Sequence, residues 1–129
     1  MDLTSLKMLT STVVEIVHPD TLEPLGITIT LASPDSAKVK AMRDERVNRR
    51  LQAMAKGRNK TVPTVDELES EALAMLVAAT LGWSGIEIGS AELDCTPENV
   101  RNLYADPAFA WLRKQVDEAF GDQARFFQK

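Results

Sequence analysis

From Thr12 to Leu31 the hydrophobic pattern is that of strands. Val13, Val14, Ile16 and Val17 are β-branched, and Ile27, Ile29 and Leu31 alternate with Thr28 and Thr30, the period of a half-buried strand. The intervening HPDTLEPLG holds the turn formers Pro19-Asp20 and Pro24, with Gly26 at the return. This predicts a β-hairpin over 12–31 with a long connection. Two strands alone are not stable in water, so the apolar face must lie on helices or on another subunit's strands.

The pattern then changes to a helical period. Ser33-Pro34-Asp35 predicts a helix start, with Ser33 as N-cap and Pro34 at the first position, and the helix is expected over 34–56 with a stop at Gly57. Val39, Met42, Val47, Leu51 and Met54 make a broad apolar stripe, and Arg43, Arg46 and Arg50 fall inside it. An ordinary surface helix keeps its charges on the opposite face. After the polar linker GRNKTVP (57–63), Thr64 and Glu67 fit a capping box that opens a helix over 65–81. Asp66, Glu67, Glu69 and Glu71 suit its positive N-terminal end, and Ala72 to Leu81 is almost wholly apolar, as a core helix should be.

LGWSGIEIG (81–89) places Trp83 among Gly82, Gly85 and Gly89. Glycine at that density marks a backbone that turns or approaches something closely. A ligand loop is one reading; the residues favour a helix exit, with Gly82 as a left-handed C-cap and Trp83 folded back over the last turn. Thr96-Pro97-Glu98 predicts a helix over 97–105, with Thr96 as N-cap, and Asp106-Pro107 repeats the device for a helix over 107–120. That last helix carries Trp111 and an apolar face of Leu112, Val116, Ala119 and Phe120, ends at Gly121, and leaves DQARFFQK for one further turn. The expected fold class is α+β, mainly α: an N-terminal β-hairpin followed by about four helices in one domain over 1–129.

Composition alters this picture little. At 129 residues with 44% apolar and 26% charged content, the chain has the profile of one ordinary globular domain. The apolar run Ala72 to Trp83 is too short to span a bilayer, MDLTSLKMLT lacks the pattern of a secretory signal, and a single cysteine, Cys95, fits a reducing cytosol. Charge alters the picture more. Residues 36–60 hold nine Lys and Arg against Asp44 and Glu45, a balance of +7, so the rest of this −4 chain carries −11. A basic segment on an acidic body points to electrostatic contact, within the chain or with a partner. A solvated basic helix, a surface for an acidic protein and a nucleic-acid surface all remain open. The last is disfavoured by the absence of aromatic residues in the segment and by the acidic body.

Candidate chemistry is sparse. His18 and Cys95 sit in no nucleophile–base motif, and one histidine with one cysteine cannot furnish a zinc site of usual type. The acidic cluster at 66–71 lacks the ligand spacing of a calcium loop. GWSGIEIG follows a helix and does not lead into one from a strand, so it matches neither phosphate-binding glycine motif. No catalytic residue, metal or cofactor is expected.

The second half does resemble a family. W-x-G-I at 83–86, T-P-E-N-x-x-x-L-Y at 96–104, P-x-x-x-W-L-x-x-Q-V at 107–116 and the final F-F occur in that order. The combination resembles the tail assembly chaperones of lambdoid and related siphophages, phages with long non-contractile tails. The resemblance implies a non-enzymatic protein of the host cell cytoplasm. It would bind the long, aggregation-prone tape measure protein and keep it competent while tail tube subunits polymerise around it, with the tail tube protein as a further candidate partner. The family often makes a second, longer product by a programmed frameshift, and this chain would be the short form. No residue-level binding motif carries over. The partner-binding residues expected from the mixed stripe are Arg43, Arg46, Arg50, Met42, Val47 and Met54, with Trp83, Gly82, Thr64, Thr96, Pro97 and Trp111 as structural positions. Weak self-association through the hairpin edge or the basic helix is expected, and no membrane contact. The rival classes are a phage connector or tube component retained in the virion and a nucleic-acid-binding regulator.

Overall fold

A computed structural model describes residue 3 and residues 9–56 and 64–126. The hairpin forms where its alternation predicts, as β1 (Ser11–Val17) and β2 (Pro24–Ala32) paired antiparallel, Val14 opposite Ile29 and Ile16 opposite Ile27. Its connection is organised by His18, whose Nδ1 accepts from the Asp20 and Thr21 amides at 3.1 and 3.3 Å. Helices α1 (Ala37–Ala55), α2 (Val65–Ala79), α3 (Pro97–Ala105) and α4 (Ala110–Gly121) follow, so the fold is α+β with the hairpin first and four helices after it. A 3-10 turn over Pro107–Phe109 leads into α4, and another over Gln123–Phe126 follows it.

Three helix boundaries differ from expectation, the least of them at α4, which begins at Ala110 behind the 3-10 turn and not at Pro107. Helix α1 begins at Ala37 behind Ser36, not at Pro34 behind Ser33. Ser33 is buried and still tied to the strand layer, since its amide donates to the Thr10 carbonyl at 2.8 Å. Its hydroxyl and carbonyl accept from Asp35 and Ser36, so the chain makes a side-chain-closed turn before any helix starts. The expected stop at Gly57 and the linker 57–63 lie outside the described residues.

The larger correction is at the end of α2. The helix stops at Ala79 and the chain passes directly into a third strand, β3 (Thr80–Ser84), on the free edge of β2. Gly82 is therefore not a helix cap: it lies opposite Thr30 in the sheet, and its φ is not positive. Thr80 makes the transition. Its amide and its hydroxyl both donate to the Leu76 carbonyl, the hydroxyl at 2.8 Å, which satisfies an acceptor that the helix end would leave open. One step on β2, from Thr30 to Leu31, spans two on β3, from Gly82 to Thr80, so Leu81 is the extra residue of a bulge. The bulge resets the alternation, and Thr80 and Trp83, three apart, both face inward. The following loop is also more regular than expected, with β4 (Glu87–Ile88) and β5 (Ala91–Glu92) closed by Gly89, whose φ is +65°.

The core lies between the sheet and three helices. Val14, Ile16, Ile29 and Leu31 from the sheet meet Leu76 of α2, Val100, Leu103 and Tyr104 of α3, and Leu112, Val116 and Ala119 of α4. Helix α1 is peripheral. Val39 is its only buried residue, placed in a small second cluster with Ala32 and Ala79.

Candidate partner-binding surface

The capping positions fall as the sequence predicts. Thr64 accepts from the Glu67 amide at 3.1 Å, and Thr96 accepts from the Asn99 amide at 3.2 Å with Pro97 at the first helical position. Trp83 and Trp111 are half-buried against the main core. The Trp83 indole donates to the Leu93 carbonyl at 2.8 Å, and the Leu93 amide to Ile86 at 2.9 Å. The ring therefore holds the loop over 85–95 against the sheet. Gly85 in the same loop has φ +81°, and a Cβ there would lie 2.1 Å from the Gly26 carbonyl oxygen. The glycine-rich stretch is thus a close approach of two backbones, one of the two reasons for which glycine is used at such density.

The stripe residues of α1 separate into two sets. Val39, Met42, Arg46 and Ala53 form the side nearer the body, buried or half-buried, whereas Val47, Leu51 and Met54 are 49%, 56% and 51% exposed. At 3.6 residues per turn, these two lines are separated by roughly a third of a turn. The helix thus packs through a line that includes an arginine and leaves its larger apolar flank outside.

Arg46 donates to the Glu71 carbonyl at 2.8 Å, and Nη2 of Arg50 lies 2.7 Å from both oxygens of the Glu71 carboxylate. Both arginines reach the same residue of α2. Arg43 does not join them: it turns back to the Pro34 carbonyl at 2.7 Å. Arg49, which pairs with Glu45 one turn earlier on α1, and Arg101 of α3 take its place. With Arg46 and Arg50 they line a shallow cleft of about 310 Å³ whose remaining wall is Ser70, Glu71 and Ala74 of α2. Sequence reasoning did not find Arg101 or Ser70, because no local pattern ties α3 to α1; only the packing of both on α2 brings them together.

The other acidic residues of the 66–71 cluster are distributed along α2. Asp66 and Glu67 occupy its first turn, and Glu69 binds Arg113 of α4 at 2.6 Å. Arg113 also lies 3.7 Å from Asp117, whose carboxyl is pushed above its ordinary value by burial and by nearby Glu69, against the pull of Arg113. The two candidate nucleophile–base residues are apart in role and place. His18 closes the hairpin turn, and Cys95 is half-buried before α3, its thiol pushed up by burial with the Trp83 backbone opposing. Among the described residues no group of three or more His, Cys, Asp or Glu is placed to hold a metal, and no helix is long and apolar enough to cross a membrane.

A second concavity, of about 680 Å³, runs between β1 and α4 and is lined by Glu15, Val17, Leu22, Trp111 and Gln115 among others. Gln115 closes part of the sheet edge: its carboxamide accepts from the Val17 amide at 3.0 Å and donates to the Val17 carbonyl at 2.9 Å, as a neighbouring strand would. Compared with family models, with curated proteins and with solved structures, the chain finds no match.

Proposed function

We propose that this protein is a non-enzymatic tail assembly chaperone that binds the tape measure protein in the host cytoplasm and keeps it soluble until tube subunits enclose it. The tail tube protein is its second candidate partner. One observation supports the reading above the others: α1 is a 19-residue helix with a single buried residue. Val47, Leu51 and Met54 form an exposed apolar line beside Arg50. A helix that contributes so little to the core, yet presents apolar and cationic groups side by side, suits the capture of amphipathic segments from another chain. Methionine adds a side chain that adapts to varied sequences, and the arginine stems cover apolar surface while their heads stay in water.

The test replaces the exposed line. Val47→Gln, Leu51→Gln and Met54→Gln together change residues about half exposed, so the circular dichroism spectrum and melting temperature should be unchanged. On co-expression with the tape measure protein, the triple variant should fail to keep that protein soluble and should not co-purify with it. A folded triple variant that retains the tape measure protein in full would refute α1 as the binding element. Charge reversal at Arg46 and Arg50 is the poorer test, since it would set like charges against Glu71 and weaken the fold itself.

A further inference from the structure

We infer that the cleft between α1, α2 and α3 is a carboxylate site, and that it takes the acidic edge of an amphipathic helix in the partner protein. This deepens the proposed function and rests on it for the partner's origin, but the site itself is argued from the charges that meet there. Four guanidinium groups, those of Arg46, Arg49, Arg50 and Arg101, line about 310 Å³, and Glu71 is the one carboxylate among the lining residues. Among the described residues Arg101 has no ion-pair or hydrogen-bond partner, and Arg46 is held there by a backbone carbonyl alone. Arg49 and Arg50 are already paired with Glu45 and Glu71. The like charges left to repel are therefore those of Arg46 and Arg101, and an anion that enters between them relieves that repulsion in addition to forming its own hydrogen bonds.

The resident Glu71 indicates which anion fits. Arg50 already grips its carboxylate through both oxygens, and guanidinium groups match a planar carboxylate with paired N–H donors. An incoming carboxylate has Arg46 and Arg101 available to it and competes with Glu71 for Arg50. Exposed Val47 and Met54 flank Arg50, which lines the cleft, at i−3 and i+4 on α1, so the ligand is expected to carry an apolar row next to its acidic one. That pairing selects a protein helix over a nucleic acid. Among the described residues the cleft is lined by no aromatic side chain on which a base could stack, and an apolar flank gives phosphate nothing.

The test uses a fluorescein-labelled helical peptide of about 20 residues, long enough to hold helix in water, with Glu at i, i+4 spacing beside a Leu row. The controls are the same peptide with Gln in place of Glu and a labelled single-stranded oligonucleotide. Arg101 is exposed, so Arg101→Ala leaves the fold intact. It should weaken the Glu peptide about three- to fivefold, the scale of one exposed ion pair. Glu71→Gln should tighten it about threefold by releasing Arg50, and Arg101→Lys should restore part of the loss. Equal binding of the Gln peptide would overturn the site. So would tighter binding of the oligonucleotide, affinities unmoved by both variants, or light scattering in which the chain captures its own copies in preference to the peptide. Co-purification of the tape measure protein is followed in parallel. If it persists in Arg101→Ala and the peptide assay is also unmoved, the cleft assignment fails and the chaperone reading stands. If the peptide behaves as expected but the wild-type chain never retains the tape measure protein, the chaperone reading fails and the carboxylate site stands.

Discussion

Three glycines within eight residues should respond differently to the same added methyl group, and the order of their responses tests the local architecture. At Gly85, alanine meets two obstacles. A φ of +81° costs an L-residue about 1–2 kcal/mol. The new Cβ would also lie 2.1 Å from the Gly26 carbonyl oxygen, 3.0 Å from its carbon and 3.3 Å from the Ile27 Cα. All three are backbone atoms, so no rotamer change relieves the contact. The strand ends must separate, which disturbs the pairing of Thr28 with Ser84 and their side-chain hydrogen bond of 2.7 Å. Overpacking of this kind adds about 1–3 kcal/mol, for a total of about 2–5 kcal/mol. At Gly89, φ is +65° but a Cβ meets nothing within 4 Å, so only the backbone term applies, about 1–2 kcal/mol. At Gly82 there is neither a positive φ nor an obstacle, and alanine should change stability by less than about 0.5 kcal/mol. Urea unfolding followed by tryptophan fluorescence and circular dichroism gives the three midpoints directly. A left-handed helix cap at Gly82 would instead make Gly82→Ala costly. If it proves the most destabilising of the three, or if Gly85→Ala costs no more than Gly89→Ala, the passage from α2 into β3 is wrong.

Further outcomes follow from individual contacts. Burial raises the phenol of Tyr104, the chain's single tyrosine, from 10 to about 12, outweighing the Thr80 hydrogen bond, with Cys95 and Asp117 adding to the rise. The folded chain therefore holds this proton more tightly than the unfolded one: the stabilisation is whole below pH 10 and is lost as pH climbs towards 12, by about 2–3 kcal/mol. Tyrosinate absorbance of the folded protein should stay flat through pH 10, and a titration midpoint near 10 with native circular dichroism would contradict the buried placement. Trp83→Ala should cost about 3 kcal/mol and Trp83→Phe about 1 kcal/mol, the latter reflecting the lost bond to Leu93; equal melting temperatures for wild type and both variants would make the ring dispensable. Gln115→Leu removes both bonds to Val17 and should cost about 1–2 kcal/mol while opening the β1 edge to concentration-dependent association, which light scattering would detect. A fully stable, monomeric Gln115→Leu would mean that the edge needs no closure.

Local chemistry was legible in the sequence, and tertiary choices were not. Thr64, and Thr96 with Pro97, cap the helices they are expected to open, and Asp106 with Pro107 caps a 3-10 turn that runs into α4, because a cap is decided by a side chain and an amide two or three residues on. Ser33 and Ser36 carry the same local signal; the choice between them is made by the Thr10 carbonyl, from another part of the chain. The run from Ala72 to Trp83 is apolar on every side, so it has no period by which to tell buried helix from buried strand. What decides there is the free edge of β2, for which TLGWS supplies a β-branched residue and an aromatic ring. The hairpin of β4 and β5 was within reach, since Ile86 and Ile88 flank Glu87 ahead of a Gly-Ser turn.

The arginines of α1 show the same division most sharply, and they bear on what the helix is for. Their mixture with apolar residues is visible in the sequence, but which line would face the body is not, because both lines carry apolar residues and Arg43 and Arg50 run between them. Rotating α1 by roughly a third of a turn would turn Val47, Leu51 and Met54 towards the protein and gain apolar burial. It would also withdraw Arg46 and Arg50 from Glu71 and carry them away from Arg101. The observed orientation keeps the cationic cleft and leaves the apolar flank in water. For a helix whose role was only to complete the core, that choice is the wrong one; for a helix that receives a segment both acidic and apolar, it places the two complementary surfaces side by side.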